Sequence, residues 1–144
     1  MKEKDFRELA SLFFTTRQII RSKLPSDGSS DPNAWHQHET LRYIGEQGNP
    51  TMQDVAQYVR VKAPSATSLI AHLASRGLVS RRKEARDKRV VRICLTERGK
   101  KELRAYEKRC VTTMQKVFSE LSTKETRELA RALRRLRDIH GPNE

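Results

Sequence analysis

The sequence has only two cysteines, Cys94 and Cys110, and no C-x-x-C pair. That excludes a disulfide framework of the kind that staples small secreted domains. No apolar run is long enough to span a bilayer. The first residues, MKEKDFRELASLFFTTRQ, mix acids and bases and lack the apolar stretch of a signal peptide. A cytoplasmic protein without membrane contact is therefore expected. Catalytic signatures are missing as well: there is no glycine-rich phosphate loop, no H-E-x-x-H and no nucleophile elbow. Neither an enzyme nor a cofactor is expected. Acid is the scarce charge, with 18 Asp and Glu against 30 Lys and Arg, a formal net charge of +12. Such a balance favours polyanionic partners, DNA, RNA or an anionic surface, and the plain alternative is a solvated basic exterior.

What is present is a chain of 144 residues, 35% apolar and 33% charged. That supports one domain of modest core, with association through helices as a source of further burial. A first helix is expected over about Lys4 to Lys23, with Phe6, Leu9, Phe13 and Ile20 near one face and Leu12, Phe14 and Ile19 widening it. Leu24-Pro25 ends it, and Ser26 to Pro32 reads as a turn-rich linker. A second helix is expected from near Asn33 to before Gly48, and a third opens at Thr51, capped by its hydroxyl.

The informative stretch runs from Lys62 to Gly99. Pro64 suits the first turn of a helix that continues from Ser65 to Arg76, and Gly77 supplies a left-handed stop. Leu78 to Arg82 and Val90 to Leu95 read as strands, joined by a polar loop from Lys83 to Arg89. Thr96 caps a helix to about Leu121, and Ser122-Thr-Lys-Glu125 is a capping box for a last helix carrying Leu129, Leu133, Leu136 and Ile139. The order is a winged helix-turn-helix: a mainly α fold with a small β-hairpin wing, flanked by N- and C-terminal helices.

A helix that enters the major groove needs small polar residues at its N-terminal end, and Ser65, Thr67 and Ser68 meet that need, with Lys62 just outside. Its N-terminal N–H groups also suit a phosphate. An ordinary capped helix start is the other reading of the same residues. The hairpin carries Arg81, Arg82, Lys83, Arg86, Lys88, Arg89 and Arg92 against only Glu84 and Asp87. An arginine at such a tip can enter the minor groove while its neighbours lie along phosphates. A solvated basic hairpin is the alternative.

In order, Ser65-Ala-Thr67 ahead of Leu69 and Leu73, Arg76-Gly-Leu-Val79, Arg86-Asp87-Lys-Arg89 and Leu95-Thr96-Glu-Arg-Gly99 resemble the multiple-antibiotic-resistance regulator (MarR) family. The D-x-R followed by L-T-x-x-G is the most specific part. The resemblance implies a single MarR-like domain over 1–144, with a DNA-binding lobe over 34–99 and dimerisation helices over 4–24 and 100–140. It implies a homodimer reading a palindromic operator in double-stranded DNA as a transcriptional regulator, expected to be a repressor. By position, Ser65, Thr67 and Ser68 would face the major groove, and Arg89 with Arg86 the minor groove. Lys62, Arg81, Arg82 and Lys88 would lie along the backbone, and Asp87 would orient the wing arginines. Two departures stand out: Ser68 where many members carry a basic residue, and Arg60 where many helix-turn-helix turns carry glycine. A basic architectural DNA- or RNA-binding module without operator specificity is the competing reading.

Family members often respond to small aromatic effectors, and Phe13, Trp35, His36 and Tyr43 are candidates to line such a pocket, or equally to be core. His36 and His38, two apart, point in different directions on a helix, so no metal site is assigned. Cys94 shares the Arg92 face of its strand, which would favour its thiolate, and inert thiols are the alternative for both cysteines.

Overall fold

The computed structural model describes residues 2–24, 34–59 and 63–141. Its elements run α1 (Glu3–Lys23), α2 (Ala34–Gln47), α3 (Met52–Val59), α4 (Ala63–Ser75), β1 (Val79–Lys83), β2 (Val91–Leu95), α5 (Glu97–Val117) and α6 (Thr123–His140). The expected class, mainly helical with one antiparallel hairpin, is the observed one. The chain divides into two compact units, one of residues 25–109 and one of 1–24 with 110–144.

The 25–109 unit holds the core. Leu41 and Ile44 of α2, Val55 of α3, Ile70 and Leu73 of α4, then Leu78, Val79 and Ile93, form one buried cluster. Burying an aliphatic side chain of this size contributes roughly 1.5–3 kcal/mol, so this cluster anchors the hairpin as well as the helices. Thr51 caps α3 as expected: its Oγ1 accepts from the Asp54 N–H (3.1 Å), and the Asp54 carboxylate accepts from the Thr51 N–H (2.9 Å). Hydrogen bonding to the carboxylate from the Thr51 backbone and then its side chain holds the Asp54 carboxyl below the usual range. The stretch before the cap adds a partial third strand. The Ile93 N–H donates to the Pro50 carbonyl at 2.8 Å, and Thr51 bridges Arg92.

Gly77 ends α4 with φ +72°, the left-handed stop its position implies. The chain then enters β1, which pairs with β2 from Val79↔Leu95 to Lys83↔Val91. Both strands start one residue later than the sequence pattern suggests, because the Leu78 N–H is taken by the Leu73 carbonyl (3.0 Å) in closing the helix and the Val90 N–H by the Asp87 carbonyl (3.0 Å) in the loop. Thr96 joins the ends of this supersecondary unit. Its hydroxyl donates to the Gly77 carbonyl (2.5 Å) and accepts from the Gly99 N–H (3.0 Å), while its own N–H donates to the Leu78 carbonyl (3.1 Å). Gly99 is buried there for a steric reason. A Cβ on it would overlap the Leu78 carbonyl oxygen. The last residue of the L-T-x-x-G motif is thus a close-approach glycine.

In the other unit, neither α1 nor α6 buries a residue. Phe6, Leu9, Leu12, Phe13, Phe14 and Ile19 of α1 are all exposed, as are Leu129, Leu133, Leu136 and Ile139 of α6. Ser122 forms the expected capping box, with its N–H donating to Glu125 Oε2 (2.8 Å) and its Oγ accepting from the Glu125 N–H (3.3 Å). α5 stops at Val117 rather than near Leu121. The Leu121 N–H turns back to the Phe118 carbonyl (3.0 Å), which lets Ser122 take the extended conformation that a cap requires. No helix among the described residues is long and apolar enough to cross a membrane.

Candidate nucleic-acid interface

α4 presents the face that the sequence suggests. Ala66, Ile70 and Leu73 are fully buried, so Ser65, Thr67 and Ser68 are left on the exposed side. His72 is exposed too, four residues after Ser68 and seven after Ser65. At 3.6 residues per turn these three share one stripe. His72 was not among the residues singled out in the sequence, although the 3–4 spacing is the signal that places it on this stripe. Lys62 and Arg60 lie outside the described residues.

α4 is fastened at its C-terminal end by a polar clamp that the sequence did not reveal. Arg76 donates from Nη1 to Gln37 Oε1 and from Nη2 to Glu102 Oε1, both at 2.9 Å. Gln37 and His38 are buried, and the His38 ring stacks on Tyr106 at 3.8 Å. One guanidinium therefore ties α4 to α2 and α5 at once. Charge-assisted bonds of this kind are shorter and stronger than neutral ones.

The wing is dominated by cations. Arg81, Arg82 and Lys83 on β1 and Arg86, Lys88 and Arg89 in the loop are all exposed. The loop is tightened by a Val90 N–H donating to the Asp87 carbonyl (3.0 Å) and a Glu84 N–H donating to the Val90 carbonyl (3.0 Å). Asp87 holds Arg89 in the loop. Its Oδ1 accepts from the Arg89 backbone N–H (3.0 Å) and Nε (3.1 Å), and its Oδ2 accepts from Nη2 (3.2 Å). These bonds from Arg89 hold the Asp87 carboxyl below the usual range. The Arg89 side chain remains 91% exposed, so it is aimed rather than covered.

Arg92 behaves differently from the other hairpin cations. It sits directly across from Arg82, a like-charge pair that costs stability unless relieved. Glu84 relieves it, accepting from Arg92 Nη2 (2.6 Å) and Nε (3.0 Å), and the Asn49 carbonyl accepts from Nη1 (3.4 Å). Arg92 therefore braces the hairpin against the α2–α3 turn. Cys94 is buried, and the neighbouring Arg92 is engaged by Glu84.

The four candidate effector residues have different surroundings. Tyr43 stacks on Tyr58 at 4.0 Å, and His36 is exposed. Phe13 is an exposed residue of α1 in the other unit, and the Trp35 side chain lies outside the described residues. An open groove of about 350 Å³ lies elsewhere in the 25–109 unit, floored by Gly45, Leu95 and Leu103 and rimmed by Arg42, Lys100 and Arg104.

With this geometry in place, the likenesses to known proteins fall on the same elements. Residues 34–91 match the model of the MarR family. An uncharacterised HTH-type transcriptional regulator of Bacillus subtilis, YdgJ, is 27% identical over 100 residues, 69% of this chain. The matched stretch spans 61% of that relative's length. Among solved structures, a MarR family protein from Bacillus stearothermophilus superposes with a TM-score of 0.80 at 24% identity, covering 96% of this chain and 97% of that one. The PcaV transcriptional regulator of Streptomyces coelicolor, in complex with its natural ligand, gives 0.62 at 19% identity over 90% of this chain and 89% of its own. At these identities the structural likenesses establish the fold.

Proposed function

We propose that the chain is a MarR family transcription regulator, a homodimeric repressor that reads a palindromic operator in duplex DNA, a reading supported by the match of residues 34–91 to that family's model. The observation that carries this reading is the pairing of two surfaces within one unit. An α4 face of small hydroxyls stands next in sequence to a hairpin bearing six exposed cations, with Asp87 aiming Arg89. In this role Ser65, Thr67, Ser68 and His72 meet base edges, and Arg89 with Arg86 enters the minor groove. Arg81, Arg82 and Lys88, together with Lys62, neutralise phosphates. Arg92 is assigned to bracing rather than to DNA.

The homodimer is supported by the exposed apolar side chains of α1 and α6. Phe13 is 64% exposed and Ile139 60%, more apolar surface than a monomer of this size ordinarily leaves in water. A C2 pair would also match the two-fold symmetry of a palindrome. Release by a small aromatic effector is the further part of the proposal, supported by the likeness to PcaV, whose structure holds a ligand.

The competing reading, a basic module without operator preference, makes a different forecast for competition binding. A homodimeric regulator retains a selected palindromic duplex against a large excess of random duplex or RNA. A salt-steep affinity equal for all three would leave only the architectural reading.

A further inference from the structure

The wing is not the chain's only concentration of unneutralised positive charge. α6 carries Lys124, Arg127, Arg131, Arg134 and Arg135. At 3.6 residues per turn they fall within an arc of about 100° and a length of about 17 Å. The apolar Leu129, Leu133, Leu136 and Ile139 occupy the opposite side. All five cations are exposed, and none closes an ion pair among the described residues. Elsewhere in the chain several cations are paired. Arg7 pairs with Glu3, Arg42 with Glu39, Lys100 with Glu97, and Arg92 with Glu84. Two of the three acids of α6 are engaged elsewhere. Glu125 is turned to the cap at Ser122, Asp138 is held by Arg137 at 2.8 Å, and Glu128 sits at the stripe's edge without a pair.

We propose that this arginine face of α6 is a second, sequence-independent surface for the phosphate backbone of duplex DNA, built from a different unit of the chain than the wing. Four of its five cations are arginines, whose fork fits phosphate oxygens bidentately. A straight, rigid row of charge on an 18-residue helix suits a stiff polyanion whose phosphates are regularly spaced. The choice of duplex over an anionic membrane rests on the homodimer reading. A helix lying in a membrane inserts its apolar face, and in the homodimer that face is covered. α6 also lacks the Trp, Tyr or Phe that anchors such helices.

The test uses the full chain and a random-sequence duplex, with affinity measured by fluorescence anisotropy across a salt series. R127Q/R131Q/R134Q/R135Q is expected to lower the log–log salt slope by about 3.6, at close to 0.9 for each phosphate no longer neutralised. R127K/R131K/R134K/R135K, which keeps the charge, is expected to retain the wild-type slope. Circular dichroism and size exclusion confirm fold and assembly. If the glutamine variant fails to fold, R131Q and R134Q singly carry the same test, each lowering the slope by about 0.9. A glutamine variant with the wild-type slope overturns the proposal. So does a variant that keeps duplex binding but loses retention on phosphatidylserine vesicles or on single-stranded RNA. A wing variant, R86A/R89A, run alongside keeps the two readings apart. Loss of palindrome preference in the wild type would sink the operator reading while leaving the α6 slope change in place.

Discussion

Gly99→Ala sets two effects of opposite sign against each other. Gly99 lies in the first turn of α5, an α-helix. Helix propensity alone would make alanine more stable there by up to about 1 kcal/mol. The alanine Cβ, however, would overlap the Leu78 carbonyl oxygen and fall 2.9 Å from its carbon. That carbonyl cannot easily yield. It accepts from the Thr96 N–H at 3.1 Å, and the Leu78 N–H is held by Leu73 at 3.0 Å. The Leu78 side chain is itself fully buried. Relief therefore requires α5 to move off the start of β1, which also opens the Thr96 cap. Overpacking typically costs about 1–3 kcal/mol and a lost cap about 1 kcal/mol more, so the clash outweighs propensity. A net loss of about 1–3 kcal/mol corresponds to a fall in Tm of roughly 2–12 °C for a chain of this size. Thermal unfolding followed by circular dichroism, with urea denaturation as a check, measures it. An unchanged or raised Tm would refute the close-approach explanation of this motif glycine.

Other outcomes follow from the same geometry. Arg89→Ala should weaken operator binding at least tenfold while leaving Tm within about 1 °C, because the side chain is 91% exposed; wild-type affinity by anisotropy would remove Arg89 from the interface. Asp87→Asn should weaken binding by loosening Arg89. The Asp87 carboxyl is depressed by its bonds from Arg89, so the wing pairing is fully present above the ordinary carboxylate range and disappears as pH falls through the depressed value. Between pH 6 and 8 this pairing therefore imposes no pH dependence, and a titration of the Arg89 Nε–H resonance that began within that window would contradict it. Arg76→Ala removes two charge-assisted bonds at 2.9 Å and leaves buried Gln37 to find another partner. The expected loss is about 2 kcal/mol of stability in urea, with a further fall in DNA affinity as α4 loosens, whereas an unaltered unfolding midpoint would show the clamp to be incidental. Truncation before Lys124 should convert the protein to monomer or aggregate by analytical ultracentrifugation; a stable, well-folded dimer would exclude α6 from the association surface.

What the sequence disclosed was the local part of this structure. The stops and caps at Gly77, Thr51, Thr96 and Ser122 each depend on residues a few positions away, and all four stand where sequence reasoning puts them. The wing's charge was equally legible, since alternation and a polar loop are written in consecutive residues. The interactions that escaped are non-local. Arg76 meets Gln37 and Glu102 across 39 and 26 positions, and nothing near Arg76 announces either partner. Arg92 looked like one more wing cation, and only its pairing opposite Arg82 and the reach of Glu84 show it to be a brace. The stacking of Tyr43 on Tyr58 joins two helices across the Gly48–Asn49 turn and is likewise not written in neighbouring residues. The value of Gly99 could be read as a motif letter, but its cause, the Leu78 carbonyl, is visible only in three dimensions.

The most direct test is selection from a random duplex library with the purified full chain, followed by sequencing of the retained fragments and repetition with R86A/R89A. A homodimeric winged-helix regulator is expected to enrich one palindrome with half-sites about one helical turn apart, and the wing variant is expected to lose that enrichment. Recovery of fragments with no shared sequence, or the same palindrome from both proteins, would contradict the assignment of operator reading to α4 and the wing.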